Sequence, residues 1–306
     1  MRRVLVTGAA GLVGGDLLKL LRGDDRYDPL GLVRSKAQLH VQHPNTQDCQ
    51  YFDVVDLEAG RIPWETIDVV VHCAFARSED AAVLSASVQF ADRLMNDAAR
   101  RGVGAIINVS SQSVYGAASG QPCTESAEVA PASSYGLAKY ATEVIAARVG
   151  ANHPDTAVTS LRLASLAGRG MWQRLTNRFV QQAVAGKPIT VRGGQQVLSY
   201  LDTRDAASAL LRVAGSESRR WRSIYNLGSR DQYTLLQIAQ CVADAAPRYG
   251  LHDVQIDVAG ESGSSGTVMD SSPFYDDFEW LPRIGIESTV QAHFEEALVT
   301  TLHTIQ

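Results

Sequence analysis

Four residues in this chain have side chains suited to chemistry at a carbon–oxygen bond: Ser110, Ser111, Tyr135 and Lys139. Tyr135 and Lys139 bracket Tyr-Gly-Leu-Ala-Lys, a spacing that puts both on one face of a helix. A free tyrosine has a pKa of about 10 and does little acid–base work at neutral pH. A nearby ammonium favours the phenolate and is expected to pull that pKa down. A serine hydroxyl can hold a carbonyl or alcohol oxygen while the tyrosine gives or takes its proton. The set suits hydride transfer, which needs a nicotinamide beside it. An ordinary helix face is the plain reading of Tyr135 and Lys139 alone, so the rest of the chain decides.

The elements around these residues supply a place for the nicotinamide. Val4-Leu5-Val6 reads as a buried strand, and a helical pattern runs from Asp16 to Leu21. Between them stands Thr7-Gly8-Ala9-Ala10-Gly11-Leu12-Val13-Gly14. Gly8, Gly11 and Gly14, with Leu12 and Val13, let backbone approach a pyrophosphate, and a helix N-terminus offers N–H groups to it. The next strand, Leu30 to Val33, ends at Arg34-Ser35-Lys36. An acid here serves the ribose hydroxyls of NAD, whereas an arginine suits a 2′-phosphate. Arg34 therefore predicts NADP, with NAD as the alternative. A third strand from Cys49 ends at Asp53-Val54, with Asp53 toward the adenine. A fourth runs from Ile67 to Ala76, and its end at Cys73 and Ala74 uses small side chains where a cofactor lies against backbone.

A helix over about Ala81–Arg101 and a strand over Ala105–Val109 deliver Ser110 and Ser111. A helix from Tyr135 to Arg148 and a strand from Val158 to Leu163 follow, with Leu163 assigned to the cofactor as well. This alternation predicts an α/β fold with a doubly wound parallel sheet of the Rossmann type. The glycines, Arg34, Asp53, Cys73, Ser111 and Tyr135 then meet at the carboxyl edge of that sheet. Residues 1–165 are expected to form the dinucleotide-binding domain. Residues 166–306 form mainly a smaller C-terminal α/β substrate lobe, some segments returning to the first domain. In that half the pattern predicts a loop near the nicotinamide end over Ala164–Gly170, helices over Trp172–Ala185, Asp202–Ala214 and Thr234–Ala246, and an exposed loop over Glu261–Thr267. Asp270, Tyr275, Trp280 and Arg283 either line a pocket or pack.

Composition narrows the class further. The 306 residues are 45% hydrophobic, ample for a core, and carry a net charge of −5, which argues against a nucleic-acid partner. Four scattered cysteines without a Cys-x-x-Cys argue against a disulfide framework and a zinc site, so no metal is expected and a reducing cytoplasm is. No signal-peptide pattern precedes the first strand, and no apolar run approaches the roughly 18 residues of a membrane helix.

Taken together, Thr7 to Gly14, Ser110-Ser111 with Val114-Tyr115-Gly116, and Tyr135 with Lys139 resemble the extended short-chain dehydrogenase/reductase family. The likeness is to its nucleotide-sugar epimerase, dehydratase and ketoreductase branch, over nearly the whole chain. The resemblance implies Ser111, Tyr135 and Lys139 as catalytic residues, with Lys139 also on the nicotinamide ribose. It implies a sugar-derived small-molecule substrate and a homodimer built on the helices flanking the fifth strand. Three departures qualify it. Gln112-Ser113 stand where the dehydratases carry Asp-Glu, which argues against water elimination. Ser87 replaces an asparagine, where it could hold a relay water. Leu198 replaces an arginine seven residues before Asp205 that contacts a substrate diphosphate, with Arg192 or Arg204 as substitutes. The expected function is an NADP-dependent oxidoreductase reducing a carbonyl on a sugar or sugar-nucleotide-like substrate. The alternatives are an NAD-dependent nucleotide-sugar 4-epimerase and, in another class, a cofactor-sensing binding protein without turnover.

Overall fold

The computed structural model describes residues 1–42, 49–116, 122–171, 174–260 and 267–304. The first half alternates strand and helix: β1 (Arg2–Thr7), α1 (Leu12–Arg22), β2 (Tyr27–Val33), α2 (Lys36–Gln42), β3 (Gln50–Asp53), α3 (Val54–Glu58), β4 (Val69–His72), α4 (Ala81–Arg100), β5 (Ala105–Ser111), α5 (Ser134–Asn152) and β6 (Ala157–Leu163). The second half adds β7 (Ser165–Ala167), α6 (Leu175–Val184), β8 (Ile189–Arg192), β9 (Val197–Asp202), α7 (Thr203–Ala214), β10 (Ile224–Leu227), β11 (Gln232–Thr234), α8 (Leu235–Ala245), β12 (Ile256–Ala259), α9 (Ser272–Phe278) and α10 (Ile286–Thr304).

Seven strands form one sheet in the order β10-β6-β5-β4-β1-β2-β3, and every neighbouring pair is parallel. Alternate side chains of a strand point to opposite faces. Val4 and Val6 of β1 accordingly pack under α1 and α7 with Leu17, Leu21 and Leu210, while Leu5 packs under α4 and α5 with Leu94, Met95 and Val149. Both faces are thus covered, which is why the central strands are almost wholly apolar. The chain turns in opposite directions from β1, to β2 on one side and eventually to β4 on the other. Loops leaving the carboxyl ends of these two strands diverge and open a crevice there. Register fixes what lines it: Thr7 lies level with His72, and Ser111 with Leu163.

Later segments complete this layer. β10 pairs with β6, and α7 packs beside α1 on one face. A second body is built from two small sheets, β11-β9-β7 and β12-β8. Its core includes Phe179, Val180, Ile238, Val242, Val290 and Phe294, from α6, α8 and α10.

Several boundaries differ from those read in the sequence. α1 starts at Leu12, inside the glycine-rich segment, because Gly11 is extended and serves as its N-cap. The expected loop from Ala164 contains β7, which gains a ladder by pairing with β9. The helix expected from Trp172 begins at Leu175; Trp172 and Gln173 lie outside the described residues, as do 261–266 of the expected exposed loop. Tyr275 and Trp280 pack: the Tyr275 hydroxyl donates to the Gly228 carbonyl and Trp280 is buried. Asp270 caps the backbone of Ser272, and the Arg283 backbone N–H donates to Asp205. No helix among the described residues is long and apolar enough to cross a membrane.

Candidate active site

Two close approaches assemble the Ser/Tyr/Lys set. Ser111 ends β5, and its hydroxyl accepts from the Ser113 N–H at 3.2 Å. The start of α5 is capped by Ser133, whose hydroxyl accepts from the Gly136 N–H at 3.1 Å. A Cβ on Gly136 would stand 2.4 Å from the Ser113 carbonyl oxygen. Only a glycine therefore lets α5 press against the backbone that follows Ser111, and this sets Tyr135 beside it. One turn on, Lys139 is 4% exposed and donates to the Val109 carbonyl at 2.8 Å.

The neighbouring serine does something else. The Ser110 hydroxyl donates to Glu143, which also holds Arg162 at 2.7 Å in a buried ion pair. Arg162 donates to the Tyr115 hydroxyl, which donates to Asn226. Buried charges persist only when paired and hydrogen-bonded, and this network satisfies them while tying β5, α5, β6 and β10 together. Ser111 stays outside this network; its hydroxyl donates to the Ser113 hydroxyl at 3.2 Å and lines the cavity.

Ser111, Tyr135 and Lys139 line one cavity of about 320 Å³ together with Gly8, Gly11, Leu12, Val13, Gly14, Cys73 and Leu163. Ala74 is just behind: its N–H donates to the Thr7 hydroxyl. Arg34, Asp53 and Val54 stand at the ends of β2 and β3, on the same sheet edge but beyond this cavity. Asp53 is the N-cap of α3, accepting from the Asp56 N–H, with Lys36 N–H on its other oxygen. Lys36 itself pairs with Asp56 at 2.6 Å. Arg34 is exposed and has no acidic partner among the described residues.

The residues fit a dinucleotide. A Cβ on Gly14 would meet the Gly8 carbonyl oxygen at 2.4 Å, so the turn and the first turn of α1 are packed backbone to backbone. Gly11, the N-cap, offers no side-chain bond to the free N–H groups of α1. Uncapped N–H groups at a helix start, with no side chain in the way, suit a pyrophosphate.

The electrostatics correct one expectation. Burial pushes the Tyr135 phenol up from its ordinary value, not down. The cations that oppose this are Arg77 and Arg174, with Ser111 helping. Lys139 is itself pushed down to about 7 by burial, and its Nζ lies 4.1 Å from the Phe75 ring centroid. Phe75 in turn meets Tyr135 edge-on at 5.9 Å, so an aromatic ring touches both members of the pair. Burial also pushes the Cys73 thiol up to about 12 and the His72 imidazole down to about 3, leaving both neutral.

Reading the sequence missed Phe75, Arg77, Met171 and Arg174, all of which line the cavity. Phe75 and Arg77 follow directly on β4, and the rule that ligands gather at carboxyl ends of strands could have flagged them. Arg174 precedes a helix far along the chain and carried no signal. Ser87 is a brace: its hydroxyl donates to the Val83 carbonyl and accepts from the Ala76 N–H, holding the segment that carries Phe75 and Arg77. Arg204 is paired with Asp202, and neither it nor Arg192 lines the cavity. Leu198 sits within β9, level with Tyr233 of β11.

Comparison with known proteins agrees with this geometry. Residues 4–228 match the family model described as the NAD dependent epimerase/dehydratase family. The chain is 24% identical over 256 residues to the low-salt glycan biosynthesis protein Agl12 of Haloferax volcanii, covering 79% of this chain and 82% of that one. It is 25% identical over 317 residues to a dTDP-4-dehydro-6-deoxy-D-allose reductase of a Streptomyces species, covering 95% of each. Among solved structures, the UDP-glucose-4-epimerase of Stenotrophomonas maltophila with bound NAD superposes with a TM-score of 0.84 at 20% identity, covering 99% of this chain and all of that one. With the glycine turn, the Ser/Tyr/Lys set and the parallel sheet on one scaffold, the chain belongs to the NAD-dependent epimerase/dehydratase family, a branch of the extended short-chain dehydrogenase/reductases.

Proposed function

We propose that this chain is an NADP-dependent oxidoreductase that reduces a carbonyl on a sugar-derived substrate. The observation that carries the cofactor choice is Arg34. It stands exposed where an acid would serve NAD, while its neighbour Lys36 is held by Asp56. The Streptomyces relative, matched along 95% of both chains, is named a reductase, which supports the direction. A bound nicotinamide supplies the hydride. Ser111 holds the substrate oxygen, and Tyr135 gives its proton to that oxygen as negative charge develops. Raised by burial, the Tyr135 phenol is protonated at neutral pH, as a proton donor must be. Lys139 keeps its place through Val109 and offers its remaining N–H groups to ribose hydroxyls. Phe75 and Leu163 keep water from the reacting atoms. Among the described residues no carboxylate lines the cavity, which leaves no carboxyl acid–base pair there for eliminating water.

The test is to titrate the protein with NADPH and NADH separately, following nicotinamide fluorescence. A charge-assisted phosphate contact is worth about 1.5–3 kcal/mol, so NADPH should bind roughly ten-fold tighter or better. Arg34→Ala should abolish the difference. Equal or tighter binding of NADH by the unaltered chain would sink the NADP reading.

A second reading, an NAD-dependent 4-epimerase, is favoured by a strap over the glycine turn. The segment Gly168–Met171 crosses Leu12, and Gly170 donates its N–H to Glu296 of α10 at 2.8 Å. An epimerase oxidises and re-reduces its substrate on one cofactor and gains from retaining it. Protein that purifies already loaded with NAD would move this reading to first place.

A further inference from the structure

The cavity around Tyr135 holds more positive charge than hydride transfer needs. Lys139, Arg77 and Arg174 line it, and among the described residues no carboxylate does, in a chain with a net charge of −5. Lys139 has a part in the chemistry; the two arginines have none so far. Arg77 lies in the segment between β4 and α4 that Ser87 braces, and its Cζ is 5.6 Å from the Tyr135 ring centroid. Arg174 is the half-buried N-cap residue of α6, fixed by its N–H to the Met171 carbonyl. Neither guanidinium has an acidic partner among the described residues, whereas the buried Arg162 is held by Glu143 and Arg204 by Asp202. Burial and the nearby Arg77 both weaken the hold of Arg174 on its proton. Arg77 is exposed and Arg174 half-buried, and two like charges this near each other are opposed. An anion between them would remove that opposition and gain charge-assisted, bidentate hydrogen bonds.

We infer that Arg77 and Arg174 form an anion subsite beside the reacting carbon, and that the substrate is an acidic sugar whose ring bears a carboxylate. The inference deepens the hydride-transfer reading and rests on it. Cofactor phosphates belong at the glycine turn, on α1. The arginines flank the tyrosine that handles the proton, so the anion they hold belongs to the substrate's reacting ring.

The experiment uses cofactor-loaded protein and two probes differing only at the ring, UDP-glucose and UDP-glucuronic acid, with binding read by calorimetry. UDP-glucuronic acid should bind about ten-fold tighter or better, from one charge-assisted contact. Arg77→Met and Arg174→Met should each erase that preference while leaving circular dichroism and melting unchanged. Equal binding of the two probes, or equal loss of both in the variants, would assign the arginines to the diphosphate and overturn the inference. If neither nucleotide sugar binds, the nucleotide-linked form of the substrate fails, and a second arm still decides the subsite. Free glucuronate and free glucose are titrated against the fluorescence of bound reduced nicotinamide. A response to glucuronate alone, absent in both variants, supports the subsite; no response, or one that the variants keep, overturns it.

Discussion

Tyr135 is caught between opposing forces. Burial favours its neutral form, while Arg77 and Arg174 favour the phenolate. Removing its hydroxyl should lower turnover about 10²–10⁴-fold, the usual worth of a positioned proton donor. Steady-state kinetics of Tyr135→Phe, with cofactor titration as control, checks this; a loss under ten-fold would demote Tyr135. Lys139 gives a pH prediction with a definite sign. Its folded pKa of about 7 lies below its unfolded value of about 10.5. Between those values the unfolded chain binds more protons, so folding stability rises with pH. The penalty for burying the ammonium is fully present below about pH 7 and is relieved toward pH 10.5. From pH 7 to 8.5 the cofactor-free protein should gain about 1–2 kcal/mol in urea unfolding. Lys139→Met should lose that slope. At this scale the sequence displayed the candidate groups, because Tyr135 and Lys139 share a helix face and Ser111 ends a strand. It did not display their electrostatics. Desolvation depends on what the tertiary fold lays over them, here Phe75 and two arginines from segments of no regular pattern.

Among the elements, α5 and the strap make contrasting contributions. α5 turns Ala138, Thr142, Ala146 and Val149 inward along with Lys139 and Glu143, so its buried face is partly polar and each polar group is answered by a strand. That face lacks the usual apolar stripe, yet the flanking strands made the helix legible. Of the strap, a loop near the nicotinamide end was legible, but its contacts were not. Gly170 has φ +77, and a Cβ there would lie 2.8 Å from Leu12 Cδ2, so the segment lies directly on the glycine turn. Its partner Glu296 is 126 residues away, a contact no local pattern announces. Glu296→Ala removes one hydrogen bond to the strap, worth about 1 kcal/mol, and should speed cofactor dissociation about five-fold. Stopped-flow displacement of fluorescent cofactor measures this; an unchanged rate would mean that the strap does not hold the cofactor.

For the whole molecule, the alternation of strands and helices foretold the parallel sheet, since each strand buried on both faces must be apolar and each crossover needs a helix. The second body was harder to read, because its short strands β7, β8, β9, β11 and β12 draw their stability from partners distant in sequence. One surface remains to be accounted for. Leu137 and Val144 of α5 are 60% and 53% exposed, and Val83 of α4 is 41% exposed, on adjoining helices that also share the Arg148–Asp92 ion pair. Burial of these groups in a symmetric helix-to-helix contact is the expected homodimer. Light scattering at micromolar protein should give twice the chain mass, and Val144→Glu should give the monomer; a monomeric unaltered chain refutes the dimer.

The long reach from the glycine turn to Glu296 has a consequence during synthesis. Residues 1–163 carry six of the seven sheet strands and leave the ribosome first. At roughly 5–20 residues per second, α10 follows the turn by on the order of tens of seconds. For that interval the glycine turn stands without the Gly170–Glu296 contact. A strap that slows cofactor release is completed only when α10 docks, so the expected slowing of exchange belongs to the finished molecule and not to the nascent one.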